Sequence, residues 1–169
     1  MTTATVRVAP LRSISADEHE QIRETLSGMS LTPDQAQFGG TPHSFLDLQN
    51  DPNRHVFLVY ADELLVGIGS LLTGEVSHEL WPMGTPAVQF RGFVIDSRMQ
   101  GKGIGTKAVL QVIELAKTVD PNAHHLTLSV NQRNPGAKRA YEKAGFIVLS
   151  EPYLGGPLGP QDIMYIALK

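Results

Sequence analysis

The sequence predicts an α/β (α+β) sandwich with a mostly antiparallel central sheet of about seven strands, flanked by about four helices. Three observations carry this. Apolar and polar residues alternate over 125–131 and 162–168, the period of a half-buried strand. Over 104–118 the period changes: Val109, Val112, Ile113 and Ala116 fall at i, i+3, i+4 and i+7, one buried helical face. Strand-like and helix-like stretches also interleave instead of segregating. The chain has 169 residues and fits one domain over 1–169. A domain of that size buries about 70% of its unfolded surface, enough for a core without staples.

The elements follow in order. Thr5 to Leu11 reads as a first strand. Ser15 with Glu18 three residues later is a capping box for a helix running to about Met29. Residues 30–42 are rich in turn formers. A short helix is expected from about Pro42 to Gln49. Arg54–Tyr60 and Leu64–Leu72 are strands joined by a turn at Ala61-Asp62-Glu63. Residues 73–86 form a loop containing Trp81. Ala87–Ile95 is a buried strand, and the Gly92 inside it marks a bulge or a close backbone approach. Helix 104–118, strand 125–131, helix 135–144 and strand 146–150 come next. Ser150 to Gln161 is a Gly- and Pro-rich loop before the last strand, Asp162–Leu168.

Composition narrows the function classes. There is no cysteine, which excludes disulfides, thiolate zinc sites and a cysteine nucleophile. The net charge of −3 gives no basic field to draw nucleic acid or a membrane surface. The first residues carry no apolar core of signal-peptide length, and no apolar run approaches a bilayer's thickness. A cytoplasmic protein is therefore expected. His19, His43, His55, His124 and His125 show no metal-ligand spacing. His124 and His125 adjoin a strand, where neighbours face opposite sides, so no metal is expected.

The most informative stretch runs from Phe93 to Thr106 and reads strand, glycine-rich turn, helix. The first turn of a helix has unsatisfied N–H donors and a positive dipole end. Glycines let a phosphate reach those donors with no Cβ in the way. Arg98, Lys102 and Lys107 add positive charge, and no acid lies between Asp96 and Glu114. Two common phosphate motifs fail on spacing. A Walker A loop needs Gly-Lys-Ser/Thr, and here Gly105 is followed by Thr106 and then Lys107. A dinucleotide fingerprint needs a glycine where Thr106 or Ala108 stands.

What remains is Gln-x-x-Gly-x-Gly at Gln100, Gly103 and Gly105. About thirty residues on stand Asn134, Ala137, Tyr141, Gly145 and Phe146 in the pattern Asn-x-x-Ala-x-x-x-Tyr-x-x-x-Gly-Phe, with Ala140 in a slot that commonly holds Leu. In this order and spacing the two motifs resemble the GNAT superfamily of acyl-CoA N-acyltransferases. The clear resemblance covers roughly residues 55–150. It implies the GNAT fold, acetyl-CoA as co-substrate, and direct attack of a primary amine on the thioester. It also implies that acetyl-CoA binds in a splay between strands 87–95 and 125–131. The backbone of Phe93, Val94 and Ile95 would then meet the pantetheine arm. The turn Gln100, Gly101, Lys102, Gly103, Ile104, Gly105 and Thr106 would hold the pyrophosphate. Asn134 would bond the pantetheine beside Ala137, and Tyr141 would protonate the departing thiolate.

The acceptor side departs from the family. Some members use a glutamate eleven residues before the motif Gln, where this chain has Gln89, which is no base. Glu75, His78 and Glu79 are the alternatives. Members resembling diamine acetyltransferases carry acids where this chain has Arg91 and Gly92. Arg91 shares strand parity with Gln89 and Phe93, so the three face one way unless a bulge intervenes. On a cleft-facing strand Arg91 could clamp a carboxylate; otherwise it pairs within the fold. The Glu-Val-Arg run common in ribosomal-protein N-terminal acetyltransferases is absent. The expected partner is a small-molecule or peptide amine, with a homodimer left open. A protein N-terminal or lysine acetyltransferase, or a CoA-binding sensor module, is the alternative. Gln89, Arg91 and Glu79 are the candidate acceptor-side residues, and the loop Tyr153–Pro160 a candidate wall.

Overall fold

The computed structural model describes residues 3–38, 41–74 and 81–169. Its strands are β1 Val6–Pro10, β2 Arg54–Ala61, β3 Leu64–Leu72, β4 Ala87–Ile95, β5 His125–Asn131, β6 Ile147–Val148 and β7 Gln161–Ala167. They make one seven-stranded sheet in the order β1-β2-β3-β4-β5-β7-β6. Its pairs are antiparallel except β4 with β5. Four α-helices accompany it: α1 His19–Ser27, α2 Pro33–Phe38, α3 Ile104–Val119 and α4 Pro135–Lys143.

Each face of the sheet carries its own apolar cluster. On one face α3 lays down Ile104, Ala108, Val109, Val112 and Ala116 against Val59, Leu71, Val88, Phe90 and Leu126. Val109 and Val112 are fully buried, each contributing about 1.5–3 kcal/mol relative to exposure. On the other face Ile22 and Leu26 of α1, with Leu46 of a 3-10 stretch over Pro42–Asn50, cover Val56, Leu58 and Ile68. The β2–β3 connection is a tight two-residue turn. Asp62 (φ 50°) and Glu63 (φ 64°) both take left-handed backbone, as a primed hairpin turn requires. Glu63 pairs with Arg7 and Asp62 accepts from the Thr5 N–H, which holds the turn to β1.

Three local expectations change. The helix expected from Ser15 starts at His19. Ser15 instead accepts from the Asp17 N–H at 3.3 Å and caps a short 3-10 turn, so its capping box with Glu18 does not form. The stretch 30–42 holds α2. Its cap is a true box: Thr32 Oγ1 accepts from the Gln35 N–H at 3.1 Å, and Gln35 Oε1 accepts from the Thr32 N–H at 2.9 Å. Pro33 stands at the first helical position, where its missing N–H costs nothing. The helix expected over 42–49 is 3-10 rather than α. No described helix is long and apolar enough to cross a membrane.

Candidate active site

The site begins where the sheet splits. β4 pairs with β5 only from Ala87–Gln89 to His125–Thr127. Beyond Gln89 the two strands diverge. The register between β3 and β4 shifts between Ile68 and Ser70, and Gly92 takes φ +66°. A left-handed residue inside a strand makes a bulge and bends it. A Cβ on Gly92 would also sit 3.0 Å from Phe45 Cζ. The wedge is a cleft of about 1280 Å³. Phe90 to Phe93 form one wall, Leu128 to Asn131 the other, and α4 and the glycine turn close its ends.

At one end, Gly101 and Gly103 have φ +77° and +78°, and Gly103 is the N-cap of α3. Added Cβ atoms at Gly101, Gly103 and Gly105 would meet nothing within 4 Å. Space is open there for a ligand oxygen. The N–H groups of residues 101–106 have no acceptor among the described residues, and they open a 16-residue helix. Such a turn fits the pyrophosphate of CoA. Ile104 is buried and anchors the turn in the core. Thr106 lines the cleft, half-buried.

The charges near this turn divide by role. Arg98 donates from Nε at 3.0 Å and Nη2 at 2.6 Å to the buried Asp96. This holds the Asp96 carboxyl below the usual carboxylate range. Lys107 Nζ donates to the Ala4 carbonyl at 3.1 Å. Both therefore fasten the fold, and neither is a free counter-charge. Lys102 is exposed and has no partner among the described residues. Gln100 Nε2 donates to the Ile95 carbonyl at 3.2 Å, tying the turn to the strand end. Gln35 Nε2 occupies the same carbonyl at 2.7 Å.

The main chain of β4 corrects one expectation. The Asp96 N–H donates to the Val66 carbonyl of the neighbouring chain segment, and Ile68 stands opposite Val94 in the same register. By the alternation of an antiparallel ladder, Val94 turns its main chain toward β3. Phe93 and Ile95 turn theirs toward the wedge. Val94 is thus unsuited to pair with a ligand in the wedge, and the Ile95 carbonyl is already engaged.

On α4, Asn134 Oδ1 accepts from the Ala137 N–H at 3.4 Å as an N-cap. Asn134, Ala137, Ala140 and Tyr141 all line the cleft. Tyr141 lies edge-on between Phe90 at 5.9 Å and Phe146 at 5.8 Å. Its hydroxyl has no hydrogen-bond partner among the described residues. Desolvation pushes that hydroxyl well above the ordinary tyrosine range, so it stays protonated at neutral pH.

The opposite face of β4 gives the second half. Gln89 and Arg91 do share a face, and both line a smaller cleft of about 220 Å³ with Ser129, Tyr153, Gly155, Gly156, Pro157 and Gln161. Phe93 does not share it. The bulge reverses its parity, and it packs with Phe90 at 5.2 Å and Phe57 at 6.3 Å. The loop Tyr153–Pro160 is a wall here through Tyr153, Gly155, Gly156 and Pro157. Arg91 makes no ion pair or side-chain hydrogen bond among the described residues. For the expected alternative, an arginine paired within the fold, no partner is seen among the described residues. Glu75, His78 and Glu79 lie outside the described residues. Sequence reasoning missed Arg54, which also lines the large cleft and donates from Nη1 to Ser70 Oγ at 3.3 Å. No motif marks it; only strand register brings it to the site. Among the described residues no three His, Cys, Asp or Glu side chains gather to hold a metal ion.

Comparison with known proteins adds the family. Residues 20–146 match the family model for the acetyltransferase (GNAT) family. The Bacillus subtilis (strain 168) protein YbbJ, described as an uncharacterized N-acetyltransferase, is 27% identical over 154 residues, 90% of this chain and 95% of that one. Among solved structures, the aminoglycoside acetyltransferase AAC(6')-Ib in complex with coenzyme A superposes with a TM-score of 0.72 at 18% identity, covering 96% of this chain and 95% of that one. A spermidine N-acetyltransferase from Vibrio cholerae with CoA and spermine gives 0.60 at 18%, covering 98% and 96%. A GNAT-family acetyltransferase from Streptococcus pneumoniae gives 0.67 at 17%, covering 98% and 100%.

Proposed function

The chain belongs to the acetyltransferase (GNAT) family and is an acetyl-CoA-dependent N-acetyltransferase; on that premise we propose that it acetylates a primary amine of a small molecule or peptide by direct attack. The observation that carries this reading is the wedge. Among the described residues it has free N–H donors at one end, an unpartnered tyrosine hydroxyl on one wall and a polar cleft across β4. Residues 1–169 act as one domain in this reading, since β1 and β7 bring both ends into one sheet. The cytoplasm is its place, because acetyl-CoA is an intracellular co-substrate.

Acetyl-CoA supplies an acyl thioester. The N–H groups of residues 101–106 receive its pyrophosphate. The outward main chain of Phe93, with the Asn134 amide, receives its pantetheine arm, and Ala137 and Ala140 leave room beside it. The neutral amine nitrogen attacks the thioester carbonyl, the C–N bond forms, the C–S bond breaks, and the nitrogen gives up a second proton to solvent to become the amide. Tyr141 donates its proton to the departing sulfur and is reprotonated from solvent. Before attack the amine must lose a proton, which costs roughly 4–5 kcal/mol for a group of pKa about 10.4 at neutral pH. Gln89 cannot take it. The proton would pass to solvent through the polar cleft that Gln89, Ser129 and Gln161 line.

Relatives named for spermidine and aminoglycosides support a small amine as acceptor. The test is thiol release from acetyl-CoA across an amine panel. Turnover with at least one amine, weakened by Tyr141→Phe, is expected. Tight CoA binding with no turnover for any amine would favour a CoA-binding module instead.

A further inference from the structure

Two arginines share the acceptor face of the sheet, and among the described residues no acid pairs with either. Register places them there. Arg54 stands opposite Leu72, and Leu72 opposite Gln89; Ser70 stands opposite Arg91. Residues opposite one another share a face, so Arg54, Ser70, Gln89 and Arg91 all project to one side. Arg54 is half-buried, and its Nε is enclosed without a hydrogen-bond partner among the described residues. Its Nη1 is fixed by Ser70, whose hydroxyl donates in turn to the Arg91 carbonyl at 3.1 Å. Beside them Gln89 is only 4% exposed, lines the smaller cleft and has no side-chain partner among the described residues. Asp34 lines the larger cleft and Asp51 acts on Arg54 from a distance, yet neither forms an ion pair with an arginine. Burial, and after it the neighbouring Arg91, push the Arg54 guanidinium below its ordinary value.

Buried donors without acceptors and like charges held together are unfavourable unless a ligand completes them. Guanidinium groups match planar oxyanions in geometry as well as charge. We propose that Arg54 and Arg91, with the Gln89 amide, form an anion subsite, so that the acceptor is an amine carrying its own carboxylate or phosphate. This inference rests on the acetyltransferase reading and specifies its acceptor. The same charges repel a polyamine. Phe45 and Leu48, which line the cleft nearby, would cover the carbon chain between amine and anion.

The test uses thiol release at saturating acetyl-CoA. The acceptors are ω-amino acids of increasing length with their primary amides, phosphoethanolamine with ethanolamine, and spermidine, all compared per neutral amine. At least one anionic amine should exceed its neutral counterpart about tenfold or more in kcat/KM. Arg54→Ala and Arg91→Ala should each erase that preference through KM while leaving the neutral amine within about twofold. The arm that wins tells carboxylate from phosphate. Spermidine or the neutral amides as the best acceptors, or variants that weaken charged and neutral amines alike, would overturn the subsite and leave the acetyltransferase intact. If CoA binds but no amine in the panel reacts, thermal melting of the CoA-bound protein decides. Acetate or inorganic phosphate at constant ionic strength should raise the midpoint of the parent and not of the two variants. No shift in the parent overturns the proposal. A structural arginine would lower the melting midpoint of the ligand-free protein when removed, whereas Arg91→Ala should leave it unchanged or raise it.

Discussion

The two sides of β4 present different kinds of group to the clefts beside them. The wedge side offers main chain: glycine N–H groups at 101–106, the outward backbone of Phe93, and small residues on α4. The other side offers side chains: Arg54, Gln89, Arg91 and Gln161 beside a loop carrying Tyr153. Main-chain donors are the same whatever the residue, so what the wedge needs from sequence is the absence of Cβ atoms. The acceptor side needs particular functional groups, and these can change without touching the wedge. One face is thus suited to a constant co-substrate and the other to a variable acceptor.

The largest expected effect lies on the wedge side. Gly105 has ordinary helical backbone and open space around it, so Gly105→Val should keep the fold while placing two methyl groups where the phosphate goes. CoA affinity by calorimetry should fall about a hundredfold or more, some 2.7 kcal/mol. Gly103→Val should block binding as well, and its φ of +78° adds a stability loss that Gly105→Val lacks. Unchanged affinity in a folded Gly105→Val protein would dissolve the contrast between the faces.

Tyr141→Phe comes next. It keeps the ring between Phe90 and Phe146 and removes only the hydroxyl. The rate constant kcat should fall roughly 10²-fold or more with CoA affinity little changed. The raised pKa of Tyr141 carries its own signature. An unfolded tyrosine ionises near pH 10, whereas the native one keeps its proton above that. The native state therefore binds the extra proton, and its stability falls as pH rises beyond about 10. Below pH 10 this group contributes no slope. In matched denaturation series Tyr141→Phe should lose less stability than the parent between about pH 10 and 12. Parallel curves would mean that the hydroxyl is not desolvated.

The wedge was legible in the sequence because its parts are contiguous. Gln100 to Thr106 lie within one turn, and Asn134 to Tyr141 on one helix, so local spacing revealed both. Even there the sequence misjudged charge. Arg98 and Lys107 looked free, and only tertiary structure shows them spent on Asp96 and Ala4. The acceptor face was mostly illegible for the opposite reason. Arg54, Ser70, Gln89 and Arg91 come from three strands, and pairing register alone unites them. The bulge at Gly92 was foreseen, but whether it would reverse Phe93 was not. Helix α2 was readable and missed: Thr32-Pro33-Asp34-Gln35 is a capping box in plain sequence, hidden among turn formers.

The smallest effect sharpens the comparison on the wedge side. Lys102 is exposed and unpaired among the described residues, so Lys102→Ala should weaken CoA binding by only about two- to fivefold, and less as salt rises. Arg98→Ala should instead lower thermal stability, because it strips the partner from the buried Asp96 carboxylate. A loss from Lys102→Ala as large as that from Gly105→Val would mean that charge, not main chain, holds the phosphates.

The central claim is that the two faces act separately, and calorimetry of CoA with the Arg54→Ala/Arg91→Ala double variant tests it most directly. CoA affinity should stay within about twofold of the parent, even as discrimination between charged and neutral acceptors disappears. A tenfold loss of CoA affinity in a folded double variant would show that the arginines serve the co-substrate, and the division between the faces would fall.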